Sequence, residues 1–115
     1  GDETALPAIA RRLAELPASA AATVRIQLSN PADQRTLASA AQVDLQWVSA
    51  LPAAVEALAL PPGAGFVWAA GEHSDMAAVR RAVLAKPGVD PKRMRISAYW
   101  KRGAADHHED LANAA

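Results

Sequence analysis

Three short stretches carry residue types from which an anion-handling or redox site could be built: Gly1-Asp2-Glu3-Thr4, Gly71-Glu72-His73 and Tyr99-Trp100-Lys101-Arg102. In the first, a glycine permits a tight turn. The free N–H groups at the helix start, with the Thr4 hydroxyl, can hold a phosphate. The stretch is not the GxGxxG fingerprint, and an ordinary capped turn is the plainer reading of the residues alone. Asp2 and Glu3 oppose a phosphate by charge, so their side chains are expected to point away from it. Glu72 can act as a first-turn acid favoured by the dipole of the helix that follows. His73 reads as a helix-start residue rather than a catalytic acid. His107-His108-Glu109 resembles a metal cluster, but adjacent helical side chains diverge by about 100°. A solvated tail is the better reading, and no metal site is expected. No nucleophile–base pair or carboxylate dyad has supporting spacing.

The elements that would position these residues alternate between helix and strand. Thr4 is expected to cap a helix with Leu6, Ile9, Leu13 and Leu16 on one face, stopped by Pro17. Thr23–Ser29 alternates as a strand, the Asn30-Pro31-Ala32-Asp33 turn follows, and a weak helical patch runs to about Ala41. Val43, Leu45 and Trp47 mark a second strand, and residues 51–59 a short helix ended by Pro61-Pro62-Gly63. The continuous apolar run Phe66–Ala70 suits a strand covered on both faces, hence an interior one, whereas Val43–Val48 suits an edge. Ser74 is expected to cap a helix with Met76, Val79 and Val83 on one face, and Arg95–Trp100 forms the last strand. The expected fold is α/β, a three-layer α-β-α parallel sheet. The alternation opens on a strand-to-helix turn with no strand before it. The chain is therefore expected to be a segment of a longer protein, without its first, central strand. A gap between Thr23–Ser29 and Gly65–Ala70 of about twice the usual 4.8 Å spacing should mark the place.

Composition narrows the function classes. The 115 residues contain no cysteine, which excludes a disulfide scaffold, a thiolate metal site and a thiol nucleophile. Thirty residues are alanine, so the core must rest on close alanine contacts and a few large side chains. No run approaches the roughly 18 apolar residues of a membrane span, and a cytoplasmic protein is expected. Net charge is zero, yet residues 80–102 hold eight basic side chains against Asp90 alone. Such a stretch can steer an anionic partner. Nucleic acid is disfavoured, because neither a Gly-aromatic RNA-binding signature nor zinc-finger spacing is present. Solvated surface charge accounts for most of the eight.

Gly1-Asp2-Glu3-Thr4-Ala5-Leu6-Pro7-Ala8-Ile9, Trp68-Ala69-Ala70-Gly71-Glu72 and Tyr99-Trp100-Lys101-Arg102-Gly103, in that order, resemble the C-terminal half of the siderophore-interacting proteins, the ferric-siderophore reductase or vibriobactin-utilisation family of bacteria. The resemblance implies a ferredoxin-reductase-like NAD(P)H-binding domain over residues 1–103, followed by a tail over 104–115. It further implies a flavoprotein whose FAD is carried mainly by an N-terminal barrel absent from this chain. Gly1, Asp2, Glu3, Thr4 and Ala5 would border the nicotinamide–pyrophosphate cleft. Gly71 and Glu72 would lie near the nicotinamide, where Glu72 would orient the carboxamide or meet the flavin; it is the one candidate catalytic residue. Trp100 would cover the flavin ring, and Lys101 and Arg102 would grip an anionic ferric siderophore. Ser29, Asn30 and Arg35, at the end of the Thr23–Ser29 strand, favour NADPH, with Asp33 against them. The implied activity is iron release by reduction of Fe(III) to Fe(II), in which this chain alone would be inactive. The alternatives are a module that binds siderophore or another anion without turnover, and a generic α/β interaction domain.

Overall fold

A computed structural model describes residues 1–60, 65–103 and the backbone of 109–110. Helix α1 (Leu6–Glu15) buries Leu6, Ile9 and Leu13 and ends at Leu16, which is extended (ψ 139°). The cause is Pro17, whose ring disfavours a helical residue before it. Strands β1 (Ala21–Gln27) and β2 (Gln42–Val48) pair in parallel, Ala21 opposite Gln42 through Gln27 opposite Val48. After α2 (Leu51–Ala57) come β3 (Val67–Glu72), α3 (His73–Leu84) and β4 (Met94–Trp100), with β3 and β4 also parallel. A two-residue strand β5 (Glu109–Asp110) adds antiparallel to β4, so β4 is not the last strand.

Helices cover both faces of β3 and β4. Ala69, Met94, Ile96 and Ala98 pack with Leu51 and Val55 of α2 and Met76, Val79 and Val83 of α3. Ala70 packs on the other side with Leu6, Ile9 and Leu13 of α1 and with Val24 and Ile26 of β1, where Trp68 and Tyr99 join the cluster. The fold is mixed α/β in three layers, as expected. Its parallel strands form two small ladders rather than one sheet. No ladder joins β1 to β3. Gly1 and Asp2 lie between them: the Gly1 nitrogen donates to the Arg25 carbonyl at 3.0 Å, the Gln27 N–H to the Gly1 carbonyl at 2.9 Å, and the Asp2 N–H to the Ala70 carbonyl at 3.3 Å.

Several expectations need correction. The strand expected over Thr23–Ser29 begins and ends two residues earlier, which leaves Ser29 beyond it. Among the described strands β3 pairs with β4, and its other edge meets Asp2 through the Ala70 carbonyl. Phe66 is 58% exposed, because the first ladder pair is Val67 with Met94 and Phe66 lies ahead of it. Val43–Val48 does lie at an edge, pairing with β1 alone among the described strands. The helical patch before Ala41 is absent. One 3₁₀ turn, Pro31–Asp33, is capped by Asn30, whose Oδ1 accepts from the Ala32 N–H at 2.9 Å, and Gln34 is already extended (ψ 137°). The segment has no apolar stripe to bury, and the Ser39 hydroxyl fastens it to the Leu13 carbonyl at the end of α1.

Candidate functional site

β1 runs parallel to β2, and β3 to β4, and contacts of Asp2 and Glu3 bring the carboxyl ends of β1, β3 and β4 together on one edge. There the chain places Gly1–Thr4, Ser29, Gly71–Glu72 and Trp100–Arg102. The carboxylate of Asp2 joins most of them. It is buried (4% exposed), and its Oδ1 accepts from the Thr4 N–H at 3.0 Å and from the Thr4 hydroxyl. Its Oδ2 accepts from the Glu72 N–H at 3.1 Å and from the Trp100 indole Nε1–H at 2.9 Å. Four donors satisfy this carboxylate. Burial of an ion demands such partners. Two glycines make room: a Cβ on Gly71 would lie 2.9 Å from Asp2 Oδ2, and one on Gly1 would lie 2.5 Å from the Ala70 carbonyl oxygen.

The helix caps differ from expectation. Asp2, not Thr4, caps the first turn (Glu3–Ala5), and Thr4 is a donor. Glu72, not Ser74, caps α3, its Oε1 accepting from the Asp75 N–H at 3.1 Å. In both places a carboxylate displaces a hydroxyl, since an ionised acceptor bonds an N–H more strongly. Both Thr4 donors expected for a phosphate are therefore engaged by Asp2. The Asp-x-Thr spacing, an Asx-turn pattern, is the sequence signal for this arrangement.

Glu72 is 1% exposed, and its Oε2 accepts from the Arg102 N–H at 3.3 Å. Burial alone would raise its carboxyl pKa. The N–H groups of Asp75, Arg102 and Ser74, with the Arg102 charge, outweigh burial and hold it below the ordinary value. Asp75 is pushed up, first by burial and then by the neighbouring Glu72 charge. The β3–β4 register slips by one residue here, so that Glu72 faces Trp100 and not Tyr99. Trp100 is half-buried, with the Arg102 guanidinium 5.7 Å from its ring centroid.

The remaining residues lie around this cluster. Exposed Glu3 accepts from the Ser29 hydroxyl at 2.8 Å, a contact the sequence reading missed. Ala5 is fully buried, packed with α1. Asn30 turns its acceptor into its own turn, and Arg35 is exposed in the segment beyond. Lys101 and Arg102 are exposed at the edge. The basic stretch does not form one face. Lys86 holds the carbonyls of Glu56 and Leu58, Arg93 holds that of Gly65, and Arg95 lines a separate cleft near Trp68. His107 and His108 lie outside the described residues, as does the Glu109 side chain. Among the described residues no group of three potential metal ligands occurs, and no helix is long and apolar enough to cross a membrane.

Parallel strands with helices on both faces and a polar cluster at their carboxyl ends define an α/β domain of the ferredoxin-reductase-like type. The sequence model of the siderophore-interacting proteins matches residues 1–103, and the chain belongs to that family. It is similar to the ferric vibriobactin reductase ViuB of Vibrio cholerae, 27% identical over 96% of this chain and 45% of ViuB. A siderophore utilization protein from T. fusca superposes with a TM-score of 0.83 at 31% identity, over 92% of this chain and 44% of that one. The siderophore-interacting protein SipS from Aeromonas hydrophila gives 0.80 at 29%, over 90% and 45%. The chain spans less than half the length of the relatives it matches.

Proposed function

We propose that this chain is the NAD(P)H-binding half of a flavin-dependent ferric-siderophore reductase acting in the cytoplasm, with FAD held mainly by another part of the whole protein. The observation that carries the reading is the convergence of Gly1–Thr4, Gly71–Glu72 and Trp100–Arg102 at the carboxyl ends of parallel strands, where open α/β sheets bind dinucleotides. Kinship with a protein named as a ferric vibriobactin reductase supplies the reaction class. The residues fit the ribose and ring ends of a nucleotide better than its pyrophosphate, because both Thr4 donors already serve Asp2. Glu3 and Ser29 would hold a ribose, and the half-buried face of Trp100 would meet a planar ring.

When bound, the two cofactors supply hydride and single-electron chemistry, and iron leaves as weakly held Fe(II). The chain's own share is positional. Asp2 fixes the Trp100 indole through its N–H. Glu72, ionised and with both oxygens engaged, pins the Arg102 backbone instead of moving a proton. Lys101 and Arg102 project from that fixed loop and attract an anionic ferric chelate, the substrate.

The test uses the whole flavin-loaded protein with NAD(P)H, ferric siderophore and an Fe(II)-trapping chelator. Nucleotide consumption matched to trapped Fe(II) is expected. Chelate binding without consumption would favour a binding module instead. Charge reversal at Lys101 and Arg102 should raise KM for the chelate, more at low salt, and leave KM for the nucleotide unchanged.

A further inference from the structure

We propose that Glu3, braced by Ser29, recognises the adenosine ribose and makes the protein select NADH over NADPH. This rests on the nucleotide-binding reading above and reverses the preference for NADPH drawn from Ser29, Asn30 and Arg35 alone. Glu3 follows Asp2 directly, and its exposed carboxylate is bonded at 2.8 Å to the hydroxyl of Ser29. Ser29 stands two residues past the end of β1, the strand that Gly1 joins through its backbone. A dinucleotide crossing such strand ends lays its adenosine ribose over the strand beside the first turn, where an acid bonds the ribose hydroxyls. The sequence holds no acid at Ser29 itself. The fold delivers one there from position 3.

A carboxylate offers about four acceptor sites, and Ser29 fills one, so a pair of ribose hydroxyls can be accepted. A 2′-phosphate removes one of those donors and sets a second anion against the first. The competing groups are weaker. Asn30 Oδ1 is turned onto the Ala32 N–H at 2.9 Å, and Asp33 in the same turn adds negative charge. Arg35 is the one base between residues 28 and 41, and it alone would draw a 2′-phosphate.

The experiment compares flavin reduction in the whole protein by NADH and by NADPH, for wild type, Glu3→Gln and Glu3→Asp. Wild type should prefer NADH in kcat/KM by roughly tenfold or more, the scale of a hydrogen bond to a charged group. Glu3→Gln should lose most of that preference through a raised KM for NADH and a lowered KM for NADPH, with kcat little changed. Glu3→Asp, charged but shorter, should fall between and so separates charge from misfolding. A wild-type preference for NADPH, or equal effects of Glu3→Gln on both nucleotides, overturns the proposal. If neither nucleotide reduces the flavin while dithionite does, the nucleotide-binding reading itself fails and takes this one with it.

Discussion

Trp100 and Trp68 sit on neighbouring strands, each beside an arginine, yet different forces hold them. The Trp100 indole donates to the buried carboxylate of Asp2, which the Glu72 N–H and Thr4 fix in turn. Trp68 has the Arg12 guanidinium 4.8 Å from its ring centroid and the Tyr99 ring edge-on at 6.5 Å, in a cleft of roughly 400 Å³ that Arg11 and Arg95 also line. A hydrogen bond to an ion sets an angle and a distance. An exposed guanidinium over a half-buried ring tolerates sliding and contributes only about 0.5–1 kcal/mol. The edge with Trp100 is built to hold one geometry, and the cleft with Trp68 can adjust.

The sharpest way to break this contrast is Asp2→Ala. It strands the buried Glu72 N–H and frees the Trp100 indole, and buried donors left unpaired cost about 1–3 kcal/mol each. A loss of about 3 kcal/mol in urea unfolding is expected, with a shift in tryptophan emission; Asp2→Asn, which keeps one acceptor oxygen, should lose about half as much. A loss below about 1 kcal/mol for Asp2→Ala would show that the carboxylate does not organise the edge.

Gly71→Ala should cost about 2 kcal/mol, since its Cβ would meet Asp2 Oδ2 at 2.9 Å and Met76 Cε at 3.2 Å in a packed site. Combined with Asp2→Ala the cost should shrink, and a double-mutant cycle would read that coupling. Additive losses would place the strain elsewhere.

Glu72 supplies a pH signature for the same edge. Its folded pKa lies below the ordinary 4.5, so it binds protons less readily when folded. Its stabilisation is present above pH 4.5 and fades as pH falls through the lowered folded value. Glu72→Gln should therefore be less stable than wild type at pH 7, and the difference should narrow in acid. A difference independent of pH from 7 to 3 would contradict the geometry. The smallest effect is expected in the cleft: Arg12→Ala should cost about 0.5–1 kcal/mol and leave Trp100 emission unchanged.

Periodicity alone located α1, β2, α3 and β4 to within two residues, because each buries one side and the apolar spacing records which. Leu6, Ile9 and Leu13 on one helix and Met76, Val79 and Val83 on another are buried as their spacing requires. Pro17 likewise marks the end of α1 without help from the fold. The caps were less readable. Thr4 and Ser74 are good capping types, but each has a carboxylate two residues before it, and only the three-dimensional path shows which oxygen reaches the free N–H.

What the sequence determined by itself is what depends on neighbours along the chain: the alternation of helix and strand, the α/β class, and the three stretches that carry the family's pattern. Tertiary structure alone decided the pairings across 24 to 98 residues: Gly1 with Arg25, Ser29 with Glu3, Glu72 and Trp100 with Asp2. No local period encodes them, because they depend on strand order and on a one-residue slip between β3 and β4 that turns Trp100, not Tyr99, towards Glu72. Charge shows the same division. The chain lists eight bases within 23 residues, but β4 alone spans about 20 Å at roughly 3.3 Å per residue, so Lys92 and Arg93 open at one end of the sheet while Lys101 and Arg102 open at the other.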